Sequence, residues 1–214
     1  RDEQDLFALN SQEKTQKAIN ENKFKNELIK LKIDIEDKNF IFEKDEHPRN
    51  NLNLEDLKKL KTVFKENGTV TAGNSSGIND GAAATILMSR EEAELRGIEP
   101  LAKVVSWATC GVEPSLMGLG PIPAVNMALK KARWNIEDVD LFEINEAFAA
   151  QSIAVIRDLK IPKEIINVNG GAIALGHPIG ASGTRILVTL IHEMVRQGKS
   201  KGCATLCIGG GMGI

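Results

Sequence analysis

Two reactive side chains of this chain lie in glycine-rich segments near its carboxyl end. His177 lies within residues 170–183 (GGAIALGHPIGASG), and Cys207 lies within residues 204–213 (ATLCIGGGMG). Glycine removes side-chain bulk and lets backbone N–H groups approach a ligand. A histidine and a thiol in such surroundings indicate acyl chemistry rather than packing alone.

Each residue with a chemical interpretation also has a structural one. His177 precedes a predicted helix, where the helix dipole disfavours its charged form and leaves a neutral base; alternatively it only shapes a turn. Cys207 ends a predicted strand and is either a nucleophile or acid–base group, or a small buried hydrophobe. Asn145 directly follows another strand, where it holds a ligand or a water molecule, or caps the next helix.

The remaining histidines and cysteines are interpreted as structural residues. His47 lies in a charged segment, His192 lies on the polar side of a helix, and Cys110 and Cys203 belong to predicted strands. The sequence has no Cys-x-x-Cys and no paired histidines, so we expect no metal site. Its glycine segments match neither a dinucleotide-binding fingerprint nor a phosphate-binding loop with its lysine.

Local patterns predict the elements that position these side chains. From residue 101 onward strands alternate with helices, which is typical of an α/β sheet with helices on its faces. Helices are predicted over 3–22 (solvated), from Asn53 to 64, over 89–97, 121–132, 145–159 and 182–197; strands are predicted over 27–35, 101–107, 139–144, 165–168 and 203–208; and a charged loop is predicted over 36–53.

Composition is that of an ordinary globular protein, with 42% hydrophobic and 26% charged residues. The formal net charge of −2 gives no electrostatic basis for binding nucleic acid or an anionic membrane. No run approaches the roughly 18 apolar residues that span a bilayer. Three cysteines without a secretory signal predict a cytoplasmic location, or the mitochondrial matrix in a eukaryote. Because the chain starts at Arg1 and ends within an apolar run, we expect it to be part of a longer polypeptide.

Taken together, the segments resemble the thiolase family, and within it the acetyl-CoA acetyltransferase (acetoacetyl-CoA thiolase) branch. The anchors are, in family order, residues 71–83 (TAGNSSGINDGAA), 118–123 (GLGPIP), 145–148 (NEAF) and the two glycine-rich segments described above. The resemblance implies the layered α-β-α-β-α thiolase fold. It also implies a lipid-metabolic acyltransferase that condenses two acetyl-CoA to acetoacetyl-CoA and coenzyme A, and catalyses the reverse thiolysis.

The same resemblance implies a role for each catalytic residue. The histidine matching His177 activates a cysteine that carries the acyl group and forms part of an oxyanion hole. The asparagine matching Asn145 holds the water that completes this hole. The cysteine matching Cys207 takes a proton from the α-carbon of the second acetyl group, and the N–H of Gly209 belongs to a second oxyanion hole. Preorganised donors of this kind stabilise the enolate oxygen of a thioester.

Coenzyme A contacts are also carried over from the resemblance. Ser76 matches a serine that contacts the pantetheine arm, and Arg49 matches an arginine near the nucleotide, where a guanidinium can stack on adenine. Apolar positions of the same channel are matched by Ala72, Phe64, Ala147 and Phe148. The implied substrates are coenzyme A thioesters, and no cofactor or metal is implied.

One family feature has no counterpart in this sequence. The acylated cysteine of thiolases lies in the first half of the subunit, and neither Cys110 nor Cys203 has matching surroundings. We therefore expect this chain to be inactive alone. The implied division is a coenzyme A-binding loop domain over 1–78, the end of the first thiolase half over 79–99, and most of the second half over 100–214.

Three functions remain open at this point. The first is acetyl transfer by a full-length enzyme, which the resemblance implies to be a homotetramer. The other two are a non-catalytic coenzyme A-binding fragment and a degradative 3-ketoacyl-CoA thiolase. The segment 176–183 (GHPIGASG) favours the short-chain branch.

Overall fold

The computed structural model describes residues 1–35 and 38–214, which fold into helices packed around short sheets. Its α-helices are α1 (Asp2–Asn20), α2 (Leu54–Lys58), α3 (Arg90–Leu95), α4 (Pro121–Ala132), α5 (Ala149–Leu159), α6 (Ala172–Leu175) and α7 (Ser182–Gln197). Its strands are β1 (Leu31–Ile35), β2 (Lys38–Phe42), β3 (Cys110–Gly111), β4 (Leu141–Ile144), β5 (Gly202–Thr205), β6 (Cys207–Ile208) and β7 (Met212–Gly213). Single 3-10 turns span Pro114–Leu119, Ile136–Asp138 and Lys163–Ile165.

A parallel pair of strands aligns the ends that carry the predicted site. β4 and β5 run in register from Leu141 opposite Gly202 to Ile144 opposite Thr205. The residues that follow the two strands therefore leave the sheet at the same edge, where α/β proteins bind their ligands. Asn145 follows the first strand directly, and Cys207 follows the second after one intervening residue.

A second small sheet extends this edge with antiparallel strands in the order β3-β7-β6. Gly213 is paired with Cys110 on one side and with Cys207 on the other. No larger residue fits at Gly213, because a Cβ atom there would collide with the backbone of Gly120 at the start of α4. The close approach of α4 to β7 thus depends on two glycines.

The main apolar core surrounds β4. Phe142 and Ile144 of this strand are both 1% exposed, and they pack among side chains of α4, α5 and the segments around them. Fully burying one large apolar side chain contributes about 1.5–3 kcal/mol to stability. The core members are Val125, Leu129, Val139, Phe142, Ile144, Val155, Ile156, Leu159, Ile161 and Ile166. β4 is therefore a rigid base for the residues at its end.

Helix α1 is present as predicted, but the prediction that it is solvated is wrong. The side chains of Asp5, Ser11 and Thr15 are at most 2% exposed, and two alanines between and beyond them are fully buried. Buried residues recur every three to four positions, as on any packed helix, but they carry small and polar side chains. These groups are buried because other segments supply their hydrogen-bond partners.

The strand predicted over residues 165–168 is also wrong. Only Ile166 makes a parallel bridge, to Phe142, and the backbone of Asn167 turns into the left-handed region with φ 42°. The Asn167 side chain replaces the missing ladder: its Oδ1 accepts from Ile144 N and its Nδ2 donates to Ile144 O, both at 2.8 Å. A side-chain amide has the same donor and acceptor as a peptide group, so it can extend a sheet.

Two further strand predictions are corrected. Residues 101–107 form no strand within the described parts of the chain, and Val104 and Trp107 are 57% and 70% exposed. An apolar pattern forms a ladder only where a neighbouring strand supplies the hydrogen bonds. The strand predicted over 203–208 is divided into β5 and β6 at Leu206, whose N–H and C=O both pair with Ile214 instead.

The first third of the chain differs from its prediction in three respects. The strand predicted over 27–35 begins only at Leu31, and residues 38–42 of the predicted loop form its antiparallel partner β2; residues 36 and 37 lie outside the described residues. The helix that begins after Asn53 ends at Lys58 instead of residue 64, because the chain then pairs with residues 70–71 through Val63 N and Thr62.

The amino-terminal caps predicted for two helices are confirmed, although the helix predicted over 89–97 ends at Leu95. The side chains of Asn53 and Ser89 accept hydrogen bonds from the N–H groups three residues later, at 3.0 and 3.2 Å. Residues 121–132 and 182–197 form helices over the predicted spans, and the 145–159 prediction holds from Ala149. Within the part of the chain that the structure describes, no helix combines the length and the apolar character that crossing a bilayer requires.

Candidate active site

Asn145 lies at the carboxyl end of β4, where it is buried and its backbone is bonded to the neighbouring strand. Its backbone N–H donates to Thr205 O at 3.0 Å, which continues the parallel ladder by one residue. Its side chain is 1% exposed. It does not cap the next helix, because α5 begins only at Ala149 and no side chain caps it. Of the two interpretations of Asn145, helix capping is therefore wrong.

His177 is held by the glycine-rich motif of residues 71–83. Its backbone N–H lies 3.3 Å from Gly77 O and 3.2 Å from Asn79 Oδ1. Gly176 precedes it with φ 94°, a conformation that side chains rarely adopt. A Cβ atom at Gly176 would also press against the Asn79 side chain. The two motifs that the sequence places a hundred residues apart thus form one structural unit.

The His177 ring contacts a polar partner at each nitrogen. Nε2 lies 3.4 Å from Asn145 Nδ2, and Nδ1 lies 2.6 Å from Ser182 Oγ. Partial burial, and secondarily the positive charge of Arg185, lower the pKa of His177. Burial removes water from the imidazolium, and a nearby cation repels it. The ring is therefore neutral near pH 7, as a proton acceptor must be.

The side-chain oxygen of Asn145 has no hydrogen-bond partner among the described residues. Oδ1 is buried, yet only the other end of the amide contacts a neighbour, His177. A buried acceptor without a partner costs about 1–3 kcal/mol. Such groups are usually satisfied by an ordered water or a ligand. This unpaired oxygen therefore indicates where a polar ligand atom or a water molecule would bind.

Cys207 is half-buried in β6, at the same edge of the molecule. Burial raises the pKa of its thiol, partly offset by a hydrogen bond to its own backbone. The strand continues into three glycines, and Gly210 and Gly211 have φ of 88° and 91°. A Cβ atom built on Gly209 meets no other atom within 4 Å, so the space beside that residue is open. A bulky acyl thioester could approach the backbone there.

The other cysteines differ from Cys207 in their surroundings. Cys203 packs against the main apolar core, and burial raises the pKa of its thiol to about 12, so its interpretation as a core residue is confirmed. Cys110 is half-buried in β3, with Gly213 between it and Cys207 in the sheet.

A buried carboxylate next to Asn145 ties three segments together. Glu146 is 2% exposed and accepts from Ser11 Oγ at 2.6 Å, from Asn167 Nδ2 at 2.9 Å and from Ile173 N at 3.2 Å. Hydrogen bonds to a charged group are stronger than neutral ones, at about 1.5–3 kcal/mol each. Glu146 therefore fixes α1, the 167–173 segment and the end of β4 relative to one another.

Three of the predicted coenzyme A-binding residues line one cavity. A cavity of about 310 Å³ is lined by Arg49, Ala72 and Ser76, three of the six residues predicted for this role. His47, interpreted from sequence as structural, also lines it and bonds through Nδ1 to Ala174 O at 2.8 Å. A second cavity of about 450 Å³ adjoins α1 and shares Arg49 with the first.

The other three predicted residues lie beside this cavity. Ser76 is joined to Ala147, whose carbonyl oxygen accepts both the hydroxyl and the backbone N–H of Ser76 at 3.0 Å. Phe64 and Phe148 make an edge-to-face contact with ring centroids 5.9 Å apart. Phe64 is 74% exposed, so its ring forms a free apolar surface. The structure thus brings all six residues to one region.

Several residues that shape the site were not predicted from the sequence. Asn74 Nδ2 donates to Asp5 Oδ1 at 2.8 Å, which anchors the glycine-rich motif to α1. Ser11, Glu146 and Ser182 were not assigned either. A polar residue recurring at helical spacing in α1 was the available signal, but a solvated helix has the same pattern. Within the described residues, no cluster of three or more His, Cys, Asp or Glu side chains suits a metal ion.

Comparison with known protein families decides what this arrangement belongs to. The model of the thiolase C-terminal domain matches residues 98–214, and that of the thiolase N-terminal domain matches residues 1–91. The chain belongs to the thiolase family. The boundaries at residues 78 and 99 that the sequence suggested between parts of this thiolase chain stay a prediction.

Relatives of this thiolase chain agree with that assignment. It is 56% identical over 214 residues to the acetyl-CoA acetyltransferase of Shinella zoogloeoides and 58% identical over 215 residues to that of Syntrophomonas wolfei. It is also 52% identical over 216 residues to the cytosolic acetyl-CoA acetyltransferase of the rat. All of this chain is covered, but only 54–55% of each relative. The thiolase chain thus spans about half the length of the curated relatives it matches.

Solved structures confirm the thiolase fold. The acetyl-CoA acetyltransferase of Bacillus anthracis superposes on the whole chain with a TM-score of 0.98 at 49% identity. Human mitochondrial 3-ketoacyl-CoA thiolase in complex with CoA superposes with a TM-score of 0.91 at 42% identity. The chain covers 54% and 53% of these two structures.

Proposed function

We propose that this chain is part of an acetyl-CoA acetyltransferase, which condenses two acetyl-CoA to acetoacetyl-CoA and coenzyme A and catalyses the reverse thiolysis. The observation that carries the proposal is the contact between Asn145 Nδ2 and His177 Nε2 at 3.4 Å, beside the unpaired Asn145 Oδ1. A neutral base and an amide with a free acceptor are what thioester chemistry needs at one point.

The first half-reaction transfers an acetyl group to a cysteine outside this chain. His177 Nε2 takes the proton of that thiol, and the sulfur attacks the carbonyl carbon of acetyl-CoA. The C–S bond to coenzyme A breaks, and the leaving thiolate receives the proton from His177. Asn145 holds the water that, with the protonated histidine, donates to the oxyanion. The lowered pKa of His177 supports its role as the neutral base.

The second half-reaction uses Cys207. Its thiolate takes a proton from the methyl group of a second acetyl-CoA, and the N–H of Gly209 stabilises the enolate oxygen. The enolate carbon attacks the enzyme-bound acetyl carbon, the C–S bond to the enzyme breaks, and acetoacetyl-CoA forms. Proton transfer between the two thiols completes the cycle. Because burial raises the pKa of the Cys207 thiol, the thiolate that this proton transfer leaves on Cys207 is a strong base for the next cycle.

Coenzyme A is proposed to bind in the cavity lined by Arg49, Ala72 and Ser76, with its pantetheine arm passing Ala147 and the pair Phe64 and Phe148. No resident cofactor or metal takes part in these steps. The full-length enzyme is proposed to be a homotetramer in the cytoplasm, or in the mitochondrial matrix of a eukaryote, without nucleic acid or membrane partners.

The test compares this chain with a completed subunit, in which it replaces the matching region of the Shinella zoogloeoides relative. Both proteins are assayed for CoA-dependent cleavage of acetoacetyl-CoA. We expect cleavage by the completed subunit and none by the chain alone. Cleavage by the chain alone, or an inactive but folded completed subunit, would contradict the proposal.

The two competing functions are tested with the same proteins. A non-catalytic coenzyme A-binding fragment predicts that the chain binds CoA in calorimetry while the completed subunit stays inactive. A degradative 3-ketoacyl-CoA thiolase predicts faster cleavage of a long-chain 3-ketoacyl-CoA than of acetoacetyl-CoA. We expect the reverse preference, in line with the identity of 52–58% to acetyl-CoA acetyltransferases.

A further inference from the structure

Ser182 makes a short contact to the catalytic histidine that no step of the proposed mechanism uses. Its Oγ lies 2.6 Å from His177 Nδ1 and 3.0 Å from Pro178 O. Ser182 is the first residue of α7 and is 1% exposed. Its hydroxyl has one proton and two neighbouring polar atoms, so the direction of that proton determines which nitrogen of the histidine ring is protonated.

One neighbour of the Ser182 hydroxyl, the carbonyl oxygen of Pro178, can only accept a hydrogen bond. Pro178 O is a carbonyl oxygen without any proton, so the hydroxyl donates to it. The same carbonyl also accepts the N–H groups of Ala181 and Ser182 at 2.8 Å, as expected where a turn enters a helix. The remaining lone pairs of Oγ face Nδ1. With the hydroxyl proton directed to Pro178 O, the 2.6 Å contact is a hydrogen bond only if Nδ1 carries a proton and donates it.

The contact at Nε2, on the other side of the ring, is consistent with a proton on Nδ1. With the proton on Nδ1, the neutral ring has its lone pair on Nε2. The Asn145 amide then donates from Nδ2 to Nε2, and its Oδ1 is left as the free acceptor of the site. With the hydroxyl donating to Pro178 O and the Asn145 amide oriented as in the structure, this arrangement pairs one donor with one acceptor at every contact of the series Pro178–Ser182–His177–Asn145.

We propose that Ser182 is a positioning residue that fixes His177 as the Nδ1–H tautomer and so leaves Nε2 as the basic atom of the site. The significance of that tautomer rests on the proposed function, in which Nε2 accepts the proton of the acyl-carrying thiol. A histidine that protonates at Nε2 instead presents a donor where the reaction needs a base.

The experiment measures the tautomer without any activity. Imidazole ¹⁵N resonances of the 214-residue chain are recorded above the titration range, and the three histidines are assigned by substituting His47 and His192. We expect Nδ1 of His177 to resonate as a protonated nitrogen and Nε2 as an unprotonated one. Ser182→Ala should shift the ring toward the Nε2–H form, and Ser182→Thr should restore the parent pattern.

A matched control is Ser200→Ala, at an exposed serine in the loop after α7, which should leave the His177 signals unchanged. An Nε2–H ring in the parent chain would overturn the proposal, and so would a folded Ser182→Ala variant with the parent pattern. If Ser182→Ala does not fold, the tautomer measured in the parent chain still tests the proposal. A completed subunit without acetyl transfer would refute the proposed function but not the role of Ser182.

A kinetic readout separates positioning from stability. In the completed subunit, Ser182→Ala should lower kcat roughly 10-fold or more with little change in KM, because the base and not the substrate site is altered. The acidic limb of its kcat–pH profile should shift, and Ser182→Thr should restore the parent profile. A uniform loss of active protein, with the pH profile unchanged, would contradict the proposal.

Discussion

Asn145 shows how burial and an unsatisfied atom together point to chemistry. An asparagine after a strand is most simply a helix cap, and the sequence leaves that interpretation open. The structure excludes it, since α5 begins four residues later. What remains is a buried amide with one end on His177 and the other without a partner in the described part of the chain.

The first prediction concerns this amide. Asn145→Ala in the completed subunit removes the group proposed to hold the oxyanion water, so kcat should fall roughly 100- to 1000-fold. The measurement is the steady-state rate of acetoacetyl-CoA cleavage. Asn126→Ala, at an exposed position of α4, is the matched control and should retain the parent rate. An unchanged kcat in Asn145→Ala would refute this role.

Helix α1 illustrates what the sequence could not predict at the scale of elements. Its span follows from local pattern, but its buried polar face does not, because the partners of Asp5 and Ser11 lie 69 and 135 residues further along the chain. Thr15 likewise reaches Asn169 O at 3.3 Å. A polar stripe on a helix is ordinarily solvated, and only the fold reveals the three segments that it holds.

The strands show that local pattern predicts an element only where its backbone pairs with a neighbouring strand. The prediction over 139–144 held in large part because a buried apolar strand has a strong local signal. The prediction over 165–168 failed because the Asn167 side chain replaces a backbone ladder. The residues proposed as catalytic came from long ordered motifs, whereas Glu146 and Ser182 act through contacts that no local pattern reveals.

The second prediction tests the packing of α1 against the site. Gly170 has φ 83°, and a Cβ atom there would lie 2.6 Å from Ser11 O and collide with Thr15 Oγ1. Gly170→Ala should therefore destabilise the chain by about 2–4 kcal/mol through backbone strain and overpacking. The measurement is urea unfolding. Gly180→Ala, where a Cβ atom meets nothing within 4 Å, should unfold at the parent midpoint.

At the scale of the whole molecule, a group of charges links α7 to the first third of the chain. Burial raises the pKa of Glu27 to about 7 and that of Glu143 to about 8, each partly offset by Arg185. Arg185 Nη1 lies 3.6 Å from Glu143 Oε2. Because Arg185 also contributes, after burial, to the lowered pKa of His177, the same guanidinium joins this group of charges to the candidate active site.

The third prediction follows from the raised pKa of Glu27. In the unfolded chain this carboxyl ionises near its ordinary value of 4.5, but in the folded chain only near 7. The folded state binds the proton more tightly, so stability from this group is lost as pH rises between those values. The stability of Glu27→Gln relative to the parent should therefore increase over that range and then level off.

Urea unfolding at a series of pH values provides this comparison, with both proteins measured in the same buffers. Taking the difference removes the opposite trend that the lowered pKa of His177 contributes. Glu91→Gln, at an exposed carboxyl on α3, is the control and should show no such rise. A Glu27→Gln difference that falls with pH would contradict the prediction.

The sequence predicts the family and the fold of this chain more reliably than it predicts the pairing of individual segments. Motifs fixed the family and the fold, and the comparisons confirmed both. Residues 101–107 have the apolar pattern of a strand but form none among the described residues, because a local pattern does not specify the neighbouring strand that a ladder requires. The proposed mechanism divides the work between two residues: His177 is proposed to activate the acyl-carrying thiol, and Cys207 is proposed to deprotonate the second substrate.

Intact-mass analysis of the completed subunit after incubation with acetyl-CoA tests that division most directly. Cys207→Ala should accumulate one acetyl group per subunit and form no acetoacetyl-CoA, because only the second half-reaction is lost. His177→Ala should gain no acetyl group in the same time, because its nucleophile is not activated. An acetylated His177→Ala enzyme, or a Cys207→Ala enzyme that still forms acetoacetyl-CoA, would contradict the assignment of the two residues.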